Sequence, residues 1–283
     1  MKLGLTLEGG AHRTYFSIGI MDFFLENGIK ADYVIGASAG IANATSYVSG
    51  QIGRNLEVAR KYIHDKRYMG FRHLLRPSNR SFYNLKFVFD EIPNKYVPFD
   101  YAAFDNAPCE TIAVVTNIET GDSEYLKVTT QGKEWKEVIA SCSLPIMFEP
   151  VKIGSKIYMD GGITNPIPVK KAMEDGCDKN IVIITRERSY VKTKEKGVKL
   201  AARSFRNYPK FKEALLNRVN VYNKYHHELL ELEKEGKVFL FMPENTDGWA
   251  RTDSDPKKLQ MMYDAGYNMA KERFSELKEY LNT

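Results

Sequence analysis

Short apolar runs alternate with helix-like stretches along the whole chain. Strands are predicted by apolar or alternating runs at Lys2–Leu7, Tyr33–Ile35, Glu110–Ile118, Glu124–Val128, Val151–Ile153, Lys156–Met159, Asn180–Thr185 and Val238–Met242. Helices are predicted where apolar residues recur every three or four positions, in segments Tyr15–Leu25, Ile41–Tyr47, Leu56–Ile63, Trp135–Ser141, 169–175, Arg206–Glu235 and Leu259–Leu277. The run Asn180–Thr185 is apolar on both faces, as in a parallel sheet. We therefore predict a three-layer α/β fold, with helices on both faces of a mostly parallel sheet.

The turn between the predicted strand Tyr33–Ile35 and the helix Ile41–Tyr47 reads GASAG, with Ser38 at its centre. A G-x-S-x-G turn between a strand and a helix is typical of the nucleophile elbow of serine hydrolases. Strand and helix come so close there that only hydrogen or methyl side chains fit, which explains Gly36 and Gly40. The helix N-terminus offers free N–H groups to a developing oxyanion. The turn indicates that Ser38 is a nucleophile.

Two other interpretations of this turn are open. Small-residue turns of the same pattern also occur without a catalytic role. GASAGIA also approaches the G-x-x-x-G-x-G turn of short-chain dehydrogenases, with Ala42 in place of the last glycine, and Tyr62…Lys66 or Tyr208…Lys212 could supply that family's acid/base pair. Against a dehydrogenase, its glycine turn should end the first strand, whereas GASAG follows the second.

The composition of the chain limits the classes of protein to which it can belong. The chain has 283 residues, enough for a sizeable core, and its 43% hydrophobic and 27% charged residues are ordinary for a globular protein. Cys109, Cys142 and Cys177 are too few and too scattered for a disulfide framework or a zinc site, so no metal or cofactor is predicted. The N-terminus lacks a signal-peptide pattern, and no run of about 18 apolar residues occurs. We predict a cytoplasmic protein that touches the inner face of a membrane at most peripherally.

Two further glycine turns follow predicted strands. Gly9-Gly10-Ala11-His12-Arg13 comes after the first strand and could bring backbone N–H groups close to an anion, although a plain tight turn is the alternative. It matches neither a phosphate loop nor a dinucleotide-binding turn. Asp160-Gly161-Gly162 ends a later strand and holds an acidic side chain on a sharp loop. By itself this second turn is a weak signal, because Asp-Gly is common in turns.

A serine nucleophile needs a base, and histidine is the usual one. His226 and His227 lie in the middle of a predicted helix, and His64 and His73 lie in a basic region without an acid placed to orient them. His12 lies inside the first glycine turn but has no obvious partner. A Ser-His-Asp triad is therefore not predicted, and the base must be another residue.

Together the three turns resemble the motifs of the patatin-like phospholipases, which use a Ser-Asp dyad. The order is the glycine-rich turn Gly9–Arg13, the elbow Gly36–Gly40 and the turn Asp160–Gly162, and the resemblance spans about residues 3 to 185. Pro145 after the stretch Ser141–Leu144 also fits a segment of that family. The resemblance implies a patatin-like α/β fold and an acyl-ester hydrolase that acts on phospholipid or lysophospholipid.

The resemblance also implies a role for each motif. Ser38 would be the nucleophile and Asp160 its base, supported by Gly36, Gly40, Gly161 and Gly162. The oxyanion and substrate-binding loop would comprise Gly9, Gly10, Ala11 and Arg13. Ala11 and Thr14 depart from the family's G-G-G-x-R/K-G pattern, which leaves open a catalytically silent lipid-binding protein. The intact Ser38 and Asp160 argue for an enzyme.

The remaining chain is predicted to belong to the same single domain, residues 1–283. Segment 66–105 is basic and aromatic and is interpreted either as a lid-like excursion or as a loop that packs its own aromatics. Segment 186–283 is predicted to be a C-terminal helical extension on the same core. Within it, Arg186–Arg218 contains eleven basic and three acidic residues, which suits either an anionic membrane surface or a solvated helix face. Nucleic-acid binding is not predicted, because no reader motif accompanies the charge.

Overall fold

A computed structural model describes residues 1–75, 80–193 and 197–282. The strands are β1 (Leu3–Leu7), β2 (Tyr33–Ala37), β3 (Glu110–Asn117), β4 (Ser123–Lys127), β5 (Val151–Ile153), β6 (Lys156–Asp160), β7 (Lys179–Ile183) and β8 (Phe239–Phe241). The α-helices are α1 (Tyr15–Glu26), α2 (Ala39–Val48), α3 (Arg54–Tyr62), α4 (Tyr101–Asp105), α5 (Lys136–Cys142), α6 (Val169–Glu174), α7 (Val198–Ser204), α8 (Pro209–Lys234), α9 (Pro256–Glu272) and α10 (Phe274–Asn282). Short 3-10 turns cover Ala11–Thr14, Phe71–Leu75, Gln131–Lys133 and Gly161–Ile163.

The strands form one sheet in the order β5-β6-β3-β2-β1-β7-β8, with β4 beside β3. The central pairs β3-β2, β2-β1, β1-β7 and β7-β8 are parallel. The hairpin strands β4, β5 and β6 pair antiparallel at one end. The predicted mostly parallel sheet is therefore confirmed.

Alternating side chains of the strands face two different helix layers. In β7, Ile181 and Ile183 belong to the large core cluster that includes residues of α1, α2 and α9. Between them Val182 belongs to a cluster on the other face, with Leu229 of α8. Because each strand is buried on both faces, the predicted three layers are confirmed.

The C-terminal part of the chain packs on the core through a close helix pair. Where α1 and α9 cross, a Cβ on Gly19 would lie 2.0 Å from the Tyr263 carbonyl oxygen, and one on Gly266 would lie 1.9 Å from the Phe16 carbonyl oxygen. Only glycine permits backbones to approach this closely. Met262 of α9 consequently shares one core cluster with the strand residues of β1.

Three sequence predictions differ from the structure. The helix predicted from Arg206 begins at Pro209, where the fixed φ and missing N–H of proline suit a first turn. The single closing helix is wrong: α9 ends at Glu272, Arg273 leaves the helical region, and α10 follows. Segment 66–105 is less irregular than predicted, because it contains α4 and a π-helix, Phe87–Tyr96.

Parts of two predicted segments lie outside the described residues. These are 76–79 of the excursion and 194–196 of the basic segment, together with residue 283 of the C-terminal extension. In the part that is described, no helix is both long and apolar enough to cross a bilayer.

Candidate active site

Ser38 lies at the sharp turn between β2 and α2, as the elbow motif predicts. Its φ is +56° and ψ is −135°, a strained backbone for a residue with a side chain. The flanking glycines permit the turn, because a Cβ on Gly36 would lie 2.9 Å from the Ile41 nitrogen and one on Gly40 would lie 2.6 Å from the Glu8 carbonyl oxygen. The Ser38 N–H is held by the Ser141 hydroxyl at 2.9 Å. Strand, helix and α5 therefore fix the serine backbone together.

The sheet register brings Asp160 to the elbow. Strand β4 occupies one edge of β3 along Ile112–Thr116, so β2 and β6 both lie along the other edge. On that edge Ala37 is paired with Val114, and Asp160 is paired with the next residue, Val115. The ends of β2 and β6 consequently meet, which places the residue after Ala37 beside Asp160.

Asp160 is a buried carboxylate held from one side only. The residue is 2% exposed, and its Oδ1 accepts a hydrogen bond of 2.8 Å from the Gly162 N–H. Its Oδ2 is buried and accepts no hydrogen bond of normal geometry from any described residue. A buried carboxylate oxygen without such a hydrogen bond can accept a proton.

The environment of Asp160 shifts its acidity. Burial raises its pKa above the ordinary value of 3.8, because the charged form is poorly solvated. The nearby Ser38 hydroxyl, the Gly162 N–H and the charges of Arg218 and Arg251 oppose this rise without cancelling it. A carboxylate with a raised pKa is a stronger base than a solvated one.

The glycines after Asp160 keep this loop close to the sheet. A Cβ on Gly161 would lie 2.0 Å from the Val114 carbonyl oxygen, so no larger residue fits against β3. A Cβ on Gly162 would lie 3.0 Å from Asp160 Oδ1, close to the atom that its N–H holds. Packing against β3 therefore requires glycine at position 161, and the tight contact with Asp160 favours glycine at position 162.

The first glycine turn has its carbonyl groups tied down and its N–H groups free. The carbonyl of Gly9 accepts from the Thr185 hydroxyl at 3.0 Å, that of Gly10 from the Arg13 N–H at 3.2 Å, and that of Ala11 from the Thr14 hydroxyl at 2.6 Å. No described group accepts a hydrogen bond from the N–H of these three residues. A Cβ on Gly9 would lie 2.8 Å from the Ser38 Cβ, so this loop touches the elbow. Free N–H groups beside a serine are able to bind an anion.

Two departures from the family motif have structural explanations. Ala11 has φ +49°, so it occupies the left-handed conformation that a glycine would take at lower energy. Thr14 holds the Ala11 carbonyl and accepts a hydrogen bond of 2.7 Å from Asn43 of α2. Thr14 thus holds in place the loop in which Ala11 has a strained backbone.

The Arg13 side chain lies against Thr185, just after β7. Its guanidinium is buried and donates from Nε to the Thr185 carbonyl at 3.3 Å. Burial lowers its pKa to about 10, and the nearby carboxylate of Glu8 opposes this shift. Glu8 in turn accepts from the Thr185 N–H at 2.6 Å. Arg13 and Glu8 therefore anchor the glycine turn to the end of β7, and the Arg13 side chain does not line the cavity described next.

Ser38 opens into a cavity of about 390 Å³. Most of its wall is apolar or aromatic, with side chains such as Val58, Tyr68, Phe89, Ile92, Phe99 and Val138. Much of this wall comes from the excursion 66–105. Arg54 and Arg251 also line the cavity, and no described Asp or Glu does. The site can therefore hold an apolar chain, and two arginines belong to its wall.

His12 connects three parts of the wall, a role that the sequence did not reveal. Its backbone N–H donates to the Arg251 carbonyl at 3.2 Å, and its Nδ1 contacts the Asp253 carbonyl. Since a carbonyl only accepts, Nδ1 carries the proton and Nε2 accepts from the Tyr83 hydroxyl, 2.9 Å away. Burial lowers the His12 pKa, which favours this neutral form. The glycine loop is thus joined to the excursion and to the loop before α9.

The other sequence candidates do not meet at this site. His226 is buried in α8, while Tyr62 and Tyr208, the tyrosines of the two dehydrogenase-type pairs, pack in separate apolar clusters. None of these three side chains lines the cavity. Cys142 does line it, next to Ser38, and burial raises the pKa of its thiol. In the described residues we find no group of three or more His, Cys, Asp or Glu that could hold a metal ion.

A family model described as patatin-like phospholipase matches residues 5–173, which include the glycine turn, Ser38 and Asp160. The chain belongs to the patatin-like phospholipase family. This is a family of lipid acyl hydrolases, so the dehydrogenase interpretation is set aside. Residues 208–282 match a second model, described as a domain of unknown function.

Several individual proteins are similar to this chain. The chain is 26% identical over 190 residues to the uncharacterized protein YjjU of Escherichia coli, covering 65% of this chain and 52% of that protein. It is 24% identical over 179 residues to lysophospholipase NTE1 of Yarrowia lipolytica, covering 62% and 12%. It is 25% identical over 202 residues to an uncharacterized NTE family protein of Mycobacterium tuberculosis, covering 70% and 32%. The matches thus span about half or less of these relatives.

Proposed function

We propose that the protein hydrolyses carboxylic acyl esters of phospholipids or lysophospholipids, with Ser38 as nucleophile and Asp160 as base. The observation that carries this proposal is the meeting of β2 and β6 on one edge of β3, which sets a buried carboxylate beside the elbow serine. The named relative NTE1 is a lysophospholipase, which supports this choice of substrate.

The arrangement accounts for each step of ester cleavage. As the Ser38 oxygen attacks the carbonyl carbon, the Asp160 carboxylate takes the hydroxyl proton. The oxygen of the tetrahedral intermediate accepts hydrogen bonds from the free N–H groups of Gly9, Gly10 and Ala11. The intermediate then breaks its bond to the alcohol, which leaves with the proton from Asp160. Water then attacks the acyl-serine while the same carboxylate takes its proton, and that proton passes to the Ser38 oxygen as the fatty acid leaves.

The cavity favours a lipid acyl ester over a small polar one. Its walls are mainly apolar, and Ser38 is reached from inside it. An acyl chain buried there would gain about 0.8 kcal/mol for each CH₂ group removed from water. The arginines on the wall suit a substrate whose leaving group carries phosphate. The membership of 66–105 and 186–283 in a single catalytic domain is part of this proposal.

A serine-reactive fluorophosphonate probe tests the proposal. The wild type and the control Ser155→Ala, an exposed serine in the β5–β6 turn, should be labelled equally. Ser38→Ala should not be labelled, and Asp160→Asn should be labelled about 10²–10⁴-fold more slowly. Labelling of Ser38→Ala at the wild-type rate would refute the assignment. A wild type that binds lipid vesicles but neither reacts with the probe nor cleaves esters would favour the silent lipid-binding alternative.

A further inference from the structure

Three large apolar side chains are exposed on two segments of the described surface. Leu75 is 84% exposed, Phe71 is 73% exposed and Ile146 is 50% exposed. Phe71 and Leu75 belong to one 3-10 turn, whose middle residue His73 is buried at 1% exposure and anchors the turn. Its Nε2 lies 3.2 Å from the Lys66 carbonyl oxygen, so the outward direction of the two apolar neighbours is fixed.

These residues lie at the rim of the cavity that contains Ser38. The Phe71 ring packs edge to face on the Phe82 ring, 5.3 Å between centroids, and Phe82 lines the cavity. The Phe82 N–H donates to the Met147 carbonyl at 2.7 Å, and Met147 also lines the cavity. Ile146 directly precedes Met147. The excursion and the segment after α5 therefore form one rim, and both bear exposed apolar side chains on it.

Ile146 is held in a conformation that its side chain disfavours. Its φ is +72°, in the left-handed region that a β-branched residue rarely occupies. Packing does not explain this, since half of the side chain faces solvent. Residues with strained backbone cluster at functional sites, where the surrounding structure holds them in place.

The rim also carries positive charge. Arg72 lies in the same 3-10 turn as Phe71, and Arg80 lies just before Phe82; both are exposed. Apolar side chains flanked by arginines match the boundary between acyl chains and anionic head groups. The basic segment Arg186–Arg218 has exposed apolar residues too, Val191, Leu200 and Leu216, but none of its described residues lines the cavity.

We propose that the rim formed by Phe71, Leu75 and Ile146 is the surface by which this protein docks on a bilayer containing anionic lipid. Docking there would place the cavity opening against the acyl chains, so a lipid could enter without crossing water. This inference rests on the proposed function only in taking the cavity as the place that an acyl chain enters. It selects the rim over the basic segment as the membrane-facing surface.

Co-sedimentation of the full chain with vesicles tests the proposal. The vesicles are made of phosphatidylglycerol and phosphatidylcholine, or of phosphatidylcholine alone. We expect Phe71→Ser/Leu75→Ser/Ile146→Ser to bind the mixed vesicles about tenfold or more weakly than wild type, from the apolar area withdrawn. The matched control Val191→Ser/Leu200→Ser should stay within about twofold of wild type. Wild type should bind phosphatidylcholine alone more weakly than the mixed vesicles.

Further measurements separate docking from folding and from catalysis. The triple variant should hydrolyse a short soluble ester at the wild-type rate, whereas Ser38→Ala should bind vesicles normally and hydrolyse nothing. Phe71→Trp should show a blue-shifted fluorescence change on vesicle addition that Leu200→Trp lacks. Equal vesicle binding by the triple variant and wild type, a loss confined to Val191→Ser/Leu200→Ser, or a wild type that binds no vesicles would each overturn the proposal. A wild type that hydrolyses no ester but gives the expected binding results would refute the proposed function and leave the docking surface in place.

Discussion

Replacing Asp160 by asparagine should slow hydrolysis strongly and stabilise the fold at neutral pH. Asparagine keeps an oxygen for the Gly162 N–H but cannot take the Ser38 proton, so the hydrolysis rate should fall about 10²–10⁴-fold. The stabilisation follows from the raised pKa of Asp160, which means that the folded protein holds its ionised form less readily than the unfolded chain does. Asparagine is uncharged at every pH, like the protonated form of Asp160.

The stabilisation of the fold by Asp160→Asn should increase as the pH rises. Between pH 3.8, the ordinary pKa, and the raised pKa, the folded state binds more protons than the unfolded state, so wild-type stability falls as pH rises. Each pH unit in that window removes about 1.4 kcal/mol. Asp160→Asn should therefore gain stability over wild type above the window and lose that advantage below it. For a chain of 283 residues each kcal/mol corresponds to about 2 °C in Tm.

Thermal melts of both proteins from pH 4 to pH 8, with ester hydrolysis measured in parallel, check this prediction. Asp175→Asn is the control of opposite sign. Although burial acts the other way, hydrogen bonds from Lys171 and Tyr33 lower the pKa of Asp175, so its loss should destabilise the protein at neutral pH. An Asp160→Asn protein that melts below wild type at pH 7 but not at pH 4 would refute the reasoning. So would near-normal hydrolysis by that variant.

Two further substitutions test the glycine loop. Gly9→Ala would place a Cβ 2.8 Å from the Ser38 Cβ, so we expect the loop to shift and hydrolysis to fall about 10²–10³-fold. The control Gly4→Ala is equally crowded, by Asn180 at 2.9 Å, but is distant from the elbow and should lose stability rather than catalysis. Similar activity in the two variants would contradict this prediction. Tyr83→Phe should leave His12 Nε2 without its hydrogen-bond donor, which should lower kcat and cost about 1–3 kcal/mol of stability. Tyr68→Phe, on the same cavity wall, should change neither kcat nor Tm appreciably.

Much of the fold could be predicted because it follows from local patterns. The strand from Asn180 is apolar on both faces, which sufficed to predict a parallel, doubly covered sheet. The errors lie where local pattern is ambiguous. An apolar stripe continues through Arg273, so the break between α9 and α10 was invisible, and the π-helix around Pro93 has no simple periodic signal.

The sequence by itself specified the elbow at Ser38 and the turn at Asp160, because glycine and small residues are required wherever backbones approach within van der Waals contact. Only the tertiary structure decided that these two meet, since the adjacency depends on β2 and β6 sharing one edge of β3 across more than 120 residues of chain. It also assigned Arg13 to the end of β7 and His12 to the cavity wall. Side-chain direction and strand register are long-range properties, and no local spacing encodes them.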